Sequence, residues 1–525
     1  RARWLLQRAA AANMNMVRIW GGGRYLPDWF YDIADELGMM LWQEMIFACA
    51  LYPRDDEFLA LVRTEVSQQV SRLALHPSIV VWGGSNENEY AISWYNESRA
   101  NRDTYVADYT KLYVDTMRPA IAASDPDARP FVDSSPSNGL LATSPFVKRW
   151  GDQQAASWGD VHYYNYDADC EDPTTYPLSR FISEHGFQSF PSYESYEPVT
   201  AVEDRSRESW LLFYRQRHQW GNEQVLKMLE RHFRVPAANA TSAEEDQSKL
   251  FADYLWLTQL QQGRCYETAF AQWRRQRSTP ANTMGVLYWQ LNDIWPGPSW
   301  STIEHDGTPK LSHYAVARVF APVLLSAVRA GEHLDVHLTS DLPDDVSGQL
   351  TVAVHRWADT SAAPAATRTA AVTARALASG QVYHINIAAL LADAGGVANN
   401  SFVRLAFTPD GSAGHAAALA ATAEAYHWLV AMKDAELPAS IVSVVNVTVL
   451  DANTASVVVR ADRAAAFVSL ISRKLIGAFG DGAFTLLAGT EKRLSFVARA
   501  ALVNASEWDE FRDGLHVRSL RDTYF

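Results

Sequence analysis

Up to about residue 320, short apolar runs alternate with longer stretches of helical period. The runs fall at 16–20, 39–42, 79–82, 130–133, 160–163, 180–183 and 285–289. Helical patterns at 1–13, 26–37, 57–75 and 105–123 lie between several of them. Near-continuous apolar strands that alternate with helices predict a parallel sheet covered by helices. Seven runs are one short of an eight-stranded barrel, and the helix at 1–13 would follow a strand preceding residue 1. The expected fold class is therefore α/β: a (β/α)8 TIM barrel lacking its first strand, over residues 1–325. A doubly wound open sheet is the competing arrangement. Polar and acidic residues just after the strand C-termini favour the barrel, whose C-terminal face carries the chemistry.

Beyond residue 325 the period changes. Apolar and polar positions alternate at 334–338, 350–357, 382–387, 402–407 and 426–430, and again at 443–450, 456–460, 467–471, 484–487 and 494–497. Such alternation predicts half-buried antiparallel strands. With a Pro-containing junction at Leu437-Pro438, the pattern predicts two all-β immunoglobulin-like sandwich domains, 326–435 and 436–525. The Ala-rich stretch 361–376 reads as a loop.

Composition narrows the function. The net charge is −14 and no Lys/Arg cluster marks a nucleic-acid face. No run of about 18 apolar residues could cross a bilayer, so no membrane association is expected. Three cysteines without a CxxC spacing suggest no metal, and no cofactor motif is present. Five N-x-S/T sequons, at Asn96, Asn239, Asn399, Asn446 and Asn504, favour a secretory route modestly. The 18 Trp and 22 Tyr fit either large cores or sugar-stacking surfaces.

Two segments carry candidate chemistry. In VVWGGSNENE (80–89) an apolar strand ends in small residues and presents Asn86 and Glu87, though Asn and Glu also suit a helix N-terminus. In RFISEHG (180–186) Glu184 sits where a buried strand ends, and an Arg-paired structural carboxylate would look the same. Together they make a pair of the kind glycoside hydrolysis requires, one acid and one base or nucleophile. Gly21-Gly22-Gly23 lacks the spacing of a nucleotide loop and reads as a tight turn.

The chain resembles the β-mannosidase branch of glycoside hydrolase family 2. The matching segments are NMNMVRIWGGG (13–23), LWQEMIFACALYP (41–53), VVWGGSNENE (80–89), GDVHYYNYDADC (159–170), ISEHGFQSFPS (182–192) and GVLYWQLNDIWPGPSWSTIEHDG (285–307). A looser patch, FGDGAFTLLAGTEKRLSFVA (479–498), extends it into the β-rich half.

The resemblance implies a retaining exo-β-mannosidase acting on terminal non-reducing β-mannosyl residues of oligosaccharides, in glycoprotein breakdown. Glu87 would be the acid/base, with Glu89 its internal rival, and Glu184 the nucleophile. Trp20, Glu44, Asn86, Tyr163 and Trp289 would contact the sugar, each Trp having an alternative place as a rim residue. Two positions depart from the family pattern: Glu44 stands where Asp is usual, and His185 where Tyr or Phe is usual. Also implied are N-terminal β-domains preceding these residues and a lysosomal or secretory setting. A Cys170–Cys265 disulfide is expected, with Cys49 left as a buried thiol. The alternatives are another family 2 exo-glycosidase, a β-galactosidase or β-glucuronidase, and a carbohydrate-binding or inactive chain.

Overall fold

A computed structural model describes every residue except 242–245, 411–422, 501 and 525. The chain divides into two compact units. The first comprises Arg1–Tyr164, Pro177–Gly186 and Thr279–Trp289, and the second Asn165–Tyr176, Phe187–Ser278 and Gln290–Phe525.

The first unit holds all seven expected parallel strands: β1 (Met16–Ile19), β2 (Met40–Glu44), β3 (Ile79–Gly83), β4 (Phe131–Val132), β5 (Asp160–Tyr163), β6 (Phe181–His185) and β7 (Gly285–Val286). They pair in sequence order as β1-β2-β3-β4 and β5-β6-β7, as βαβ units require. Helix Asp56–Leu73 shows why the pattern reads so clearly. Leu59, Val62, Val66, Val70 and Leu73 recur every three or four residues and are buried, and the Asp55 side chain caps its start by accepting from Phe58 N. Between β4 and β5 the connection is a hairpin, Leu140–Thr143 with Phe146–Lys148, rather than a helix.

In the second unit the 29-residue helix Gln247–Arg275 is buried along most of its length. It carries Cys265, which is disulfide-bonded to Cys170 as expected. The bridge closes a sequence separation of 95 residues, so replacing both cysteines with serine should cost about 2–5 kcal/mol of stability. Urea unfolding of the double variant against the parent protein reads this directly.

Two sandwiches follow. Strands Val323–Ala330, His333–Ser340 and Ser379–Asn386 form one sheet, and Ala366–Ala374, Val346–Arg356, Ser401–Pro409 and Ala423–Trp428 another. Their inward residues, among them Leu325, Val336, Leu350, Val352, Val403 and Leu405, make one core. The second sandwich is built from Val442–Val449, Thr454–Ala461, Glu491–Ala498 and Gly477–Phe479 opposite Phe484–Leu486, Ala465–Ser472 and Leu515–Arg518. Phe496, Phe511, Val457 and Val468 lie at its centre. One expectation fails here. Within 361–376, residues Ala366–Ala374 form a strand along Val346–Arg356, and their mostly small Ala and Thr side chains lack the apolar bulk that makes a strand legible.

Candidate active site

The ends of the parallel strands bring the candidate residues together. Arg18 from β1, Glu44 from β2, Asn86 and Glu87 after β3, His162 from β5, Tyr164 just after it, and Glu184 from β6 form one hydrogen-bonded cluster. Close packing where β3 ends explains the small residues there. A Cβ on Gly83 would stand 2.6 Å from Glu44 Cγ, and one on Gly84 2.5 Å from Asp133 O. Glu87 then takes a left-handed backbone at φ 58°, which costs about 1–2 kcal/mol in a non-glycine residue. Strain of this kind persists where surrounding contacts over-determine it, and it clusters at functional sites.

Glu87 and Glu184 share a neighbour. His162 Nδ1 lies 2.8 Å from Glu87 Oε1 and 3.3 Å from Glu184 Oε2, and the three ligand atoms lie within 4.8 Å of one another. The other ring nitrogen, Nε2, is 3.0 Å from Ser135 Oγ, which itself donates to Asp160 Oδ2 at 2.6 Å. Since that hydroxyl hydrogen goes to the carboxylate, Nε2 must donate to the Ser135 oxygen. Nδ1 is left to face both glutamates.

Glu184 is held tightly. Arg18 Nη1 donates to Oε1 at 2.5 Å and Tyr164 Oη to Oε2 at 2.7 Å. Burial works to raise its carboxyl, but His162, Arg18 and Tyr164 outweigh it and hold the group below the usual carboxylate range. By spacing, Glu87, His162 and Glu184 could grip a cation. The Arg18 guanidinium already supplies a positive charge to Glu184, so the set suits proton exchange better.

Three expectations are revised, those for Glu44, Tyr163 and Cys49. Glu44 is 1% exposed, with Oε1 taken by Arg18 Nε at 2.8 Å and Oε2 by Gly21 N at 2.7 Å. At that burial its carboxylate sets Arg18 and the Gly21 turn instead of lining the sugar site. Beside the nucleophile candidate the sequence points to Tyr163. Its ring stacks on His185, and the neighbouring Tyr164 makes the contact with Glu184. His185 donates to Tyr163 O at 2.8 Å, and burial pushes its imidazole down to about 4, so it packs as a neutral ring. Cys49 is exposed, not buried, because the loop after β2 carries it to the site at φ 52°.

Asn86 is 3% exposed, with Oδ1 accepting from Arg18 Nη2 at 2.6 Å. Trp20 and Trp289 meet edge to face with ring centroids 5.0 Å apart, both half-buried. Glu89, the rival to Glu87, is fully buried against Lys148, which also binds Asp133. Burial pushes Glu89 up to about 7 even so, and the cluster closes it off from a ligand. Asn96, Asn239, Asn446 and Asn504 are exposed, while Asn399 is half-buried and donates to Glu436.

Arg18, His162 and Tyr164 escaped the sequence reading. A signal existed for two of them, since a charged or imidazole side chain inside an apolar strand needs a buried partner.

Comparison with known proteins bears on this arrangement. Residues 332–434 match the Mannosidase Ig/CBM-like domain and residues 433–523 an Ig-fold domain. β-Mannosidase from Capra hircus is 38% identical over 99% of this chain and 58% of its own length. β-Mannosidase A from Emericella nidulans is 31% identical over 99% of this chain and 56% of its own. The chain thus spans little more than half of these relatives. The crystal structure of the β-D-mannosidase from Dictyoglomus thermophilum superposes with a TM-score of 0.78 at 25% identity, covering 99% of this chain and 57% of that one. An exo-chitosanase from Amycolatopsis orientalis shares the fold at 14% identity and a TM-score of 0.70, over 99% of this chain and 60% of that one. Along nearly its whole length the chain is therefore similar to β-mannosidases, with both of its C-terminal domains matching immunoglobulin-like families.

Proposed function

We propose that this chain is the catalytic part of a retaining exo-β-mannosidase, with Glu184 as nucleophile and Glu87 as acid/base. One observation carries the reading: two carboxylates from different strands bring oxygens within 4.8 Å of each other around one imidazole. Retaining glycosidases separate their carboxyl groups by about 5–5.5 Å, whereas inverting enzymes need ~6.5–9.5 Å to admit a water. Similarity to β-mannosidases supports mannose as the sugar.

In the first step Glu184 attacks the anomeric carbon. The glycosidic bond breaks as Glu87 passes its proton to the leaving oxygen. The resulting mannosyl ester removes the charge on Glu184, and Glu87, now a carboxylate, takes a proton from the incoming water. Water attack releases mannose with its β configuration restored. Arg18 and Tyr164 keep Glu184 ionised and aimed, and Glu44 keeps Arg18 in place. Trp20 and Trp289 offer ring surface to the sugar, and Asn86 an amide to its 2-hydroxyl.

Tyr164→Phe tests the hold on the nucleophile. Losing a hydrogen bond to a charged group should lower kcat/KM on the order of tenfold. The direction of the pH change is also set. Glu184 must be ionised to attack, its contacts hold it low, and removing one raises it. The acid limb of the kcat/KM profile therefore moves to higher pH, with the alkaline limb less affected.

A panel of nitrophenyl glycosides tests the substrate. The β-mannoside should be cleaved fastest, and preference for the β-galactoside or β-glucuronide would overturn the choice of sugar. The Cys170–Cys265 bridge and the exposed sequons fit an oxidising, secretory or lysosomal setting.

A further inference from the structure

The thiol of Cys49 lies between Asn86 and Glu87. The segment after β2 runs beside Asn86 as a short extension of the sheet. Asn86 N donates to Phe47 O and Cys49 N donates to Asn86 O, both at 2.9 Å. This pairing holds Cys49 in its left-handed backbone at φ 52° and turns its side chain into the site. There Asn86 Nδ2 donates to Sγ at 3.2 Å, and the thiol donates to Glu87 Oε2 at 3.5 Å. Glu87 Oε1 faces His162 instead. The two oxygens of one carboxyl group therefore have different partners, one on the loop after β2 and one on β5.

We infer that Cys49 is a positioning residue for the acid/base, its thiol fixing the plane of the Glu87 carboxyl that meets the leaving group. The inference rests on the assignment of Glu87 above. Held by His162 alone, a side chain as long as glutamate could still turn its carboxyl about the last bond. A second contact on the other oxygen removes that freedom, and the Glu87 side chain is still 19% exposed and open to substrate.

The chemistry of the partner matters as well. An ammonium or guanidinium here would bind the ionised carboxylate too strongly for a group that must alternate between acid and base. A thiol is a weak, neutral donor and acceptor that serves both forms. Desolvation and the facing Glu87 carboxylate push the Cys49 thiol up to about 12, so it stays protonated beside the glutamate.

The test compares Cys49→Ala and Cys49→Ser with the parent protein on β-mannosides of graded leaving group, from dinitrophenyl to a β-linked mannose disaccharide. Cys49→Ala should lower kcat/KM for the disaccharide about three- to tenfold, the scale of one hydrogen bond, and the dinitrophenyl substrate less. Cys49→Ser, which restores a donor and an acceptor, should recover most of the loss. Three results would overturn the inference: an equal loss on every leaving group, no loss on any, or serine no better than alanine. Failure of the underlying assignment looks different, because Glu87→Ala would then itself show no leaving-group dependence.

Discussion

Glu184→Ala is expected to abolish turnover, lowering kcat/KM for a nitrophenyl β-mannoside by at least about 10⁴-fold, the scale on which loss of a covalent nucleophile acts. The argument is geometric. Glu184 is aimed by Arg18 on one oxygen and by Tyr164 on the other, and the buried carboxylates near it are held by other partners. Glu44 is tied to Arg18 and Gly21, and Glu89 to Lys148. The variant should still fold, because Arg18 keeps Glu44 and Asn86 as partners. Circular dichroism and thermal unfolding would check that separately. Added azide, small enough to enter the vacated space, should attack the anomeric carbon once and yield the α-mannosyl azide. Near-normal turnover by the variant would refute the role of Glu184.

The second large effect belongs to Glu87. A general acid contributes about 10²–10⁴-fold, and its loss is felt in proportion to how badly the leaving group needs a proton. Glu87→Ala should therefore lose that much on a disaccharide and far less kcat/KM on a dinitrophenyl mannoside. On the activated substrate the first step stays fast while the second lacks its base, so the mannosyl-enzyme accumulates and both kcat and KM fall together. Azide needs no base and should restore kcat, giving the β-mannosyl azide. The opposite anomers from the two variants identify which carboxylate acts on which face of the sugar. A uniform loss across leaving groups would point to a binding role for Glu87 instead.

Sequence made the strands and the two glutamates legible for a simple reason. Apolar runs buried on both faces stand out, and acidic residues at their ends are rare enough to notice. Side-chain direction near those ends was less accessible. His162 aligns with Glu184 and Tyr163 with His185, after a register shift between Val161 and His162. A one-residue shift in register exchanges the faces of a strand, and the shift leaves no mark in the sequence DVHYY. Tyr163 was therefore favoured where Tyr164 does the touching. Glu44 shows a different limit. The sequence puts it among the sugar contacts, but its partner, Arg18, lies on another strand. Cys49 escaped because a loop's left-handed turn decides its direction, and FACA carries no glycine to announce one.

The stereochemistry of the first-formed product tests the central claim most directly. Proton NMR of the anomeric signals during rapid hydrolysis of an aryl β-mannoside separates the product from its later mutarotation. β-Mannose should appear first and α-mannose only as equilibrium is approached. If α-mannose came first, a single displacement by water would be at work, and Glu184 could not be the nucleophile.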